Sequence, residues 1–201
     1  MAMGDHARMA QRTARLGPWQ PGSIEERIDR LESLAAIQQL AQRYGVAVDS
    51  RDIDMLVELF VPDVRVGRDE SGREALHRWY TRVLRQHGPS CHLVANHVVD
   101  FDDADHAHGI VYCHDELSHP EDQEWAQGML QYWDTYARVD GEWFFHRRRF
   151  HRLYIVDWLT RPSHHGVSNR SETTLTSHWL PDAFPSWQEF WDRVAREDAG
   201  A

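Results

Sequence analysis

The chain has 201 residues, 41% of them hydrophobic, which fits one globular domain with terminal extensions and a sizeable core. Its formal charge of −10 argues against general nucleic-acid binding, which needs clustered Lys and Arg; the one basic run, residues 147–149, sits among aromatics. Two cysteines make neither a disulfide framework nor a paired metal-ligand set, so a reducing cytoplasm is expected, and no signal peptide or bilayer-spanning run is read in the sequence. Nine Trp and fourteen His depart from average usage, and the Trp content suggests a large aromatic core or a cavity for a flat, apolar ligand.

Residues 1–22 lack apolar periodicity and read as a mobile lead-in. Ser23 then opens a capping box with Glu26, and Ile24, Ile28, Leu31, Ala35, Leu40 and Tyr44 recur near helical spacing, predicting a helix over 24–44. A short break carrying Tyr44 and Asp49 follows. Asp52 caps a second helix with Met55, Leu56, Leu59 and Phe60 inward, stopped by Pro62. Residues 64–66 form a short strand. Ser71 and Glu74 suggest a second capping box for a third helix carrying Leu76, Trp79, Tyr80, Val83 and Leu84 on one side, ended by Gly88-Pro89.

Strands follow: residues 91–101, an acidic turn at 102–105, residues 108–117, a loop at 118–122, then 125–139 and 142–154 around Asp140-Gly141, the strongest hairpin signal in the chain. Helices first and an antiparallel meander after predict an α+β domain over 23–158, with helices on one face of a curved sheet. Residues 159–201 form a C-terminal extension rich in Ser, Thr, His and Pro, with a short helix carrying Phe190 and Trp191 starting near 185–189.

Alternation on the first long strand groups His92, Val94, Asn96 and Val98 on one face; on the next it groups Val111, Cys113, Asp115 and Leu117. Taken alone, His92 is more simply a hydrogen-bonded or exposed strand residue and Asp49 a helix cap. Together they would make a carboxylate–imidazole pair: the carboxylate fixes the tautomer and leaves the other nitrogen as a base for a C–H or hydroxyl proton. The histidines alternate between strand faces and no HExxH is present, so no metal site is expected. There is no GxSxG, and no GxGxxG or phosphate loop, so neither a serine nucleophile nor a nucleotide cofactor is expected.

The string IQQLAQRYGVAVDSRDIDMLVELFVPDV, His92 with Asn96 four later, and QYWDTYARVDGEWFFHRR resemble the SnoaL-like branch of the NTF2-like superfamily over about residues 30–155. Within it the chain is similar to scytalone dehydratase, hexachlorocyclohexane dehydrochlorinase and bile-acid 7α-dehydratase. The resemblance implies a cone of N-terminal helices packed on a curved, mainly antiparallel mixed sheet, with an Asp–His pair deep inside and no cofactor. It implies Asp49 as the carboxylate, His92 as the base, Tyr44, Asp115 and Arg148 as further catalytic residues, and Asn96, Tyr132, Trp133 and Trp79 as substrate-binding residues. Arg147 and Arg149 compete with Arg148 for the place five residues after Trp143. The second catalytic histidine of scytalone dehydratase has no counterpart; its place falls near Leu117.

The expected function is cofactor-independent elimination from a hydroxylated apolar ring compound, such as a steroid or a lignin-derived aromatic, releasing water or formaldehyde. Its rivals are an isomerase or polyketide-type cyclase on the same scaffold, and a non-catalytic binding domain. The expected partners are a small apolar or aromatic substrate and further copies of the chain in a homodimer or homotrimer, with no nucleic acid and no membrane.

Overall fold

The computed structural model describes residues 19–118 and 125–157, together with the isolated helical positions Asp192, Arg196 and Ala199. Most of the expected lead-in, most of the loop at 118–122 and nearly all of the C-terminal extension, with the helix starting near 185–189, lie outside the described residues.

Helix α1 spans Ile24–Ser50. Its start is the expected capping box: Ser23 Oγ accepts from Glu26 N at 3.1 Å, and Glu26 reaches back to Ser23 N. Its end is a correction. There is no break at Tyr44; the helix runs on to a left-handed Arg51 (φ 60°), so Tyr44 and Asp49 are both helical. The N-terminal apolar residues also differ from expectation, since Ile24, Ile28 and Leu31 are exposed and burial begins in earnest at Ile37.

Helix α2 (Ile53–Glu58) starts on Asp52, whose side chain accepts from Met55 N at 2.9 Å. Strands β1 (Arg65–Val66) and β2 (Glu70–Ser71) pair as a small antiparallel ribbon. Ser71 is therefore a strand residue and not a cap. Gly72, at φ 90°, occupies the N-cap of α3 (Arg73–Leu84) without a side-chain bond, a conformation that glycine adopts without a Cβ penalty. Leu76 and Tyr80 face inward from α3.

Strands β3 (Ser90–Phe101), β4 (His106–Ser118), β5 (Trp125–Val139) and β6 (Glu142–Asp157) form one antiparallel sheet in the order β3-β4-β5-β6. Asp140 and Gly141 both have positive φ, 50° and 86°, as a two-residue hairpin turn matched to strand twist requires. Three irregularities interrupt the ladders; one is an extra residue, Leu153, in β6 against Met129 and Leu130 of β5, and the other two redirect side chains near the helices. β3 carries one extra residue against β4 between Val94 and His97, and β6 carries one extra residue against β5 between Phe145 and Arg147.

Helices α1 to α3 cover one face of the sheet. Tyr44, Ala47 and Val48 pack with Val111, Cys113, Leu130, Tyr132 and Phe145 in a single core that also takes in Leu56, Phe60, Leu76 and Tyr80. Backbone bonds from Phe145 N to Leu59 O (2.8 Å) and Val61 N to Phe145 O (3.0 Å) pin the segment after α2 to β6, the one parallel contact among the described strands. Arg138 ties α1 to the far end of β5 through both carboxylate oxygens of Asp29, at 2.9 and 2.8 Å. The sheet stays open, and the helices close the concave side over it. Among the described residues no helix is long and apolar enough to cross a membrane.

Candidate active site

Gly45 and Asp49 lie one turn apart on the face of α1 that rides over β3. A Cβ on Gly45 would sit 3.4 Å from His92 Cβ, so the bare glycine brings the helix down onto that histidine. One turn later Asp49 reaches the same residue twice. Its Oδ1 accepts from His92 Nδ1 at 2.7 Å and its Oδ2 from the His92 backbone N–H at 2.8 Å. Ser90 Oγ donates to Oδ1 at 2.8 Å and itself receives a bond from Arg51 Nη1 at 3.0 Å.

A carboxylate acceptor at Nδ1 puts the proton there and leaves Nε2 with its lone pair. Burial works to raise the Asp49 pKa, but the bonds from His92 and Ser90 outweigh it and hold the carboxyl below its ordinary value. The His92 side chain is 8% exposed against 24% for Asp49, so the ring lies deeper than its carboxylate.

Arg148 is the buried cation of this face. Its guanidinium carbon lies 4.2 Å from the Tyr44 ring centre, 4.1 Å from Tyr132 and 4.2 Å from Phe145. Nε and Nη2 donate to the two oxygens of Asp134 at 3.0 and 2.7 Å, while Nη1 has no hydrogen-bond partner. Burial opposes the charge, and the Asp134 carboxylate more than offsets it, so Arg148 titrates above its ordinary value. Tyr80 Oη donates to Tyr44 Oη at 3.3 Å, and burial pushes both phenols upward, keeping them protonated donors.

Asp115 stands directly opposite His92 in the β3–β4 register. It is 2% exposed, with Oδ2 3.5 Å from Arg152 Nη2 and Oδ1 without a partner. Gly128, across β5, makes room for it: a Cβ there would lie 2.1 Å from Asp115 Oδ1.

The structure thus brings Tyr44, Asp49, His92, Asp115, Tyr132 and Arg148 to the concave side, and among the three consecutive arginines it is Arg148 that turns inward. Three expected binding residues are placed elsewhere. Asn96 is exposed, because the extra residue in β3 rotates it outward and turns His97 inward in its stead. Trp133 lies on the sheet face opposite Tyr132, buried against His151 with Nε1 donating to Gln131 Oε1 at 2.8 Å. Trp79 is 38% exposed on the outer side of α3, stacked edge-on against Tyr80.

Sequence reasoning missed Asp134, Tyr80, His97, Tyr136 and Arg152. Strict alternation of Leu130, Tyr132, Asp134 and Tyr136 along β5 was the available signal for two of them. Among the described residues, no three His, Cys, Asp or Glu side chains gather as a metal site.

The family model for the SnoaL-like domain matches residues 29–149. No curated protein matches the chain by sequence. Among solved structures, a putative scytalone dehydratase from Novosphingobium aromaticivorans is 23% identical over 66% of this chain and 92% of its own, with a TM-score of 0.58, a likeness of fold. Hexachlorocyclohexane dehydrochlorinase LinA-type3 from Novosphingobium barchaimii is 25% identical over 66% of this chain and 94% of its own, with a TM-score of 0.59. A second structure of LinA is 27% identical over 65% and 92%, also at 0.59. With its helices on the concave side of an open antiparallel sheet and its matched span covering well over half the sequence, the chain belongs to the SnoaL-like domain family, on an NTF2-like fold.

Proposed function

We propose that this protein is a cofactor-independent lyase that eliminates a small fragment from a hydroxylated, apolar ring compound. The observation that carries the reading is the Asp49–His92 pair, with both carboxylate oxygens bound to the same histidine and the ring nearly buried. An imidazole locked in this way is a base of defined direction, and such a base contributes about 10²–10⁴ in rate. His92 Nε2 removes a proton from carbon, and the electron pair moves to expel the neighbouring oxygen. Arg148 Nη1 and the Tyr44 hydroxyl bind that oxygen, and Tyr44 supplies the proton it needs to leave. The aromatic wall of Tyr44, Tyr80, Tyr132 and Phe145 suits a flat ring. The base stands on β3 and the oxygen-binding arginine on β6, the two edge strands of the sheet, so the elimination has separate groups for its base and its leaving oxygen.

The LinA relatives are dehydrochlorinases, which supports elimination as the reaction type. The test is a panel of hydroxylated steroids and phenolic dimers, with product mass read by mass spectrometry. By this step the enzyme gives a product lighter by water, whereas an isomerase leaves the mass unchanged. Turnover must collapse in His92→Ala, and full activity in that variant would remove the assignment.

A further inference from the structure

The proposed elimination leaves one buried polar chain unused. His97 Nε2 lies 2.9 Å from Tyr136 Oη, and Tyr136 Oη donates to Asp134 Oδ2 at 3.0 Å. That carboxylate is the one that receives Nε and Nη2 of Arg148. A phenol has a single proton. Given to the carboxylate, it leaves the phenol oxygen to accept, so His97 must carry its proton on Nε2. His97 Nδ1, buried and without a hydrogen-bond partner, is then a bare acceptor.

His97 reaches this place because of the extra residue in β3, and it meets Tyr136 over Gly109. A Cβ at Gly109 would come within 3.4 Å of both His97 Nε2 and the Tyr136 ring. The rings around Arg148 confine the guanidinium plane but tolerate rotation within it. Its in-plane direction is set by the two bonds to Asp134, and Asp134 is in turn held by Tyr136.

We propose that His97 and Tyr136 are positioning residues for Arg148: acting through Asp134, they commit Nε and Nη2 and leave Nη1 alone to bind a ligand oxygen. This rests on the reading of Arg148 as the oxygen-binding group. Burial, and then the charge of Arg148, hold His97 near a pKa of about 4, so the neutral, Nε2-protonated ring persists at neutral pH.

The experiment uses ¹⁵N-labelled full-length protein and reads two signals by NMR, the His97 ring nitrogens and the Arg148 Nε–H. The wild-type chain is expected to show His97 as the Nε2–H tautomer and a slowly exchanging Arg148 Nε–H. Tyr136→Phe keeps the ring and removes the oxygen, and should speed Arg148 Nε–H exchange about tenfold, the equivalent of one hydrogen bond. His97→Gln places an amide nitrogen where Nε2 stood and should retain the wild-type Arg148 signal. His97→Asn, whose amide reaches only as far as Nδ1, should behave like Tyr136→Phe. An Nδ1–H tautomer in the wild-type protein overturns the proposal without any variant. So does Arg148 exchange within about twofold of wild type in both Tyr136→Phe and His97→Asn. None of these signals depends on turnover, so a failed elimination assay with the network intact refutes the function and spares this chain, and the reverse result does the opposite.

Discussion

Asp134→Ala is the perturbation whose cost the structure defines most closely. Asp134 is fully buried, and the Arg148 side chain is 4% exposed. The substitution removes three hydrogen bonds to the carboxylate, two from Arg148 and one from Tyr136, of about 1.5–3 kcal/mol each, and leaves a guanidinium in an aromatic pocket with no counter-charge. Breaking a buried pair from one side costs about 3–5 kcal/mol, a large share of the roughly 5–15 kcal/mol that stabilises a domain. Urea unfolding followed by Trp fluorescence should show that loss as a lower midpoint at unchanged slope.

The double variant Asp134→Leu with Arg148→Met replaces the pair with apolar groups of similar volume. It should recover most of the stability, giving a coupling of several kcal/mol between the sites. On the proposed reading it should also be folded and inactive. An Asp134→Ala protein within about 1 kcal/mol of wild type would refute the reasoning, since a loss so small means the guanidinium finds water or another anion.

Three further outcomes are expected. Gly128→Ala puts a methyl group 2.1 Å from Asp115 Oδ1, so Asp115 must leave its place; a loss of about 1–3 kcal/mol is expected by urea unfolding, with lowered turnover, and wild-type values would show that Asp115 is mobile there. His97 binds its proton more weakly folded, near pH 4, than unfolded, near 6.5, so the unfolded state takes up the extra proton between these values and stability falls as pH drops through that window. A gap of roughly two and a half pH units corresponds to about 3 kcal/mol, and His97→Gln should flatten that part of the stability–pH curve; an unchanged slope would count against it. Gly45→Ala places its Cβ at ordinary contact with His92 and should stabilise α1 by about 0.5–1 kcal/mol with activity retained, measured by thermal melting, whereas Gly45→Leu should lift the helix from His92 and abolish turnover.

Much of the frame was legible from local chemistry. The Ser23–Glu26 box, the Asp52 cap and the Asp140-Gly141 turn act over a few residues, and all three are observed. The strand bounds came from β-rich runs between turn signals, which are also local, and the α+β class came from the order of elements. The expected end of α1 failed for a reason that lies elsewhere in the chain. Gly45 is a point of close approach to a strand more than forty residues away, and packing on that strand carries the helix on to Ser50.

The sequence by itself determined which residues are available for chemistry and paired Asp49 with His92; the fold then set them in contact. Only the tertiary structure decided which side chains face inward beyond the bulges. One extra residue in β3 exchanges Asn96 for His97, and one in β6 selects Arg148, where strict alternation from Trp143 and Phe145 would have chosen Arg147. A bulge inverts every face beyond it, and it arises from the register of two strands against each other. That register is a property of the pair of strands, so neither strand read alone contains it.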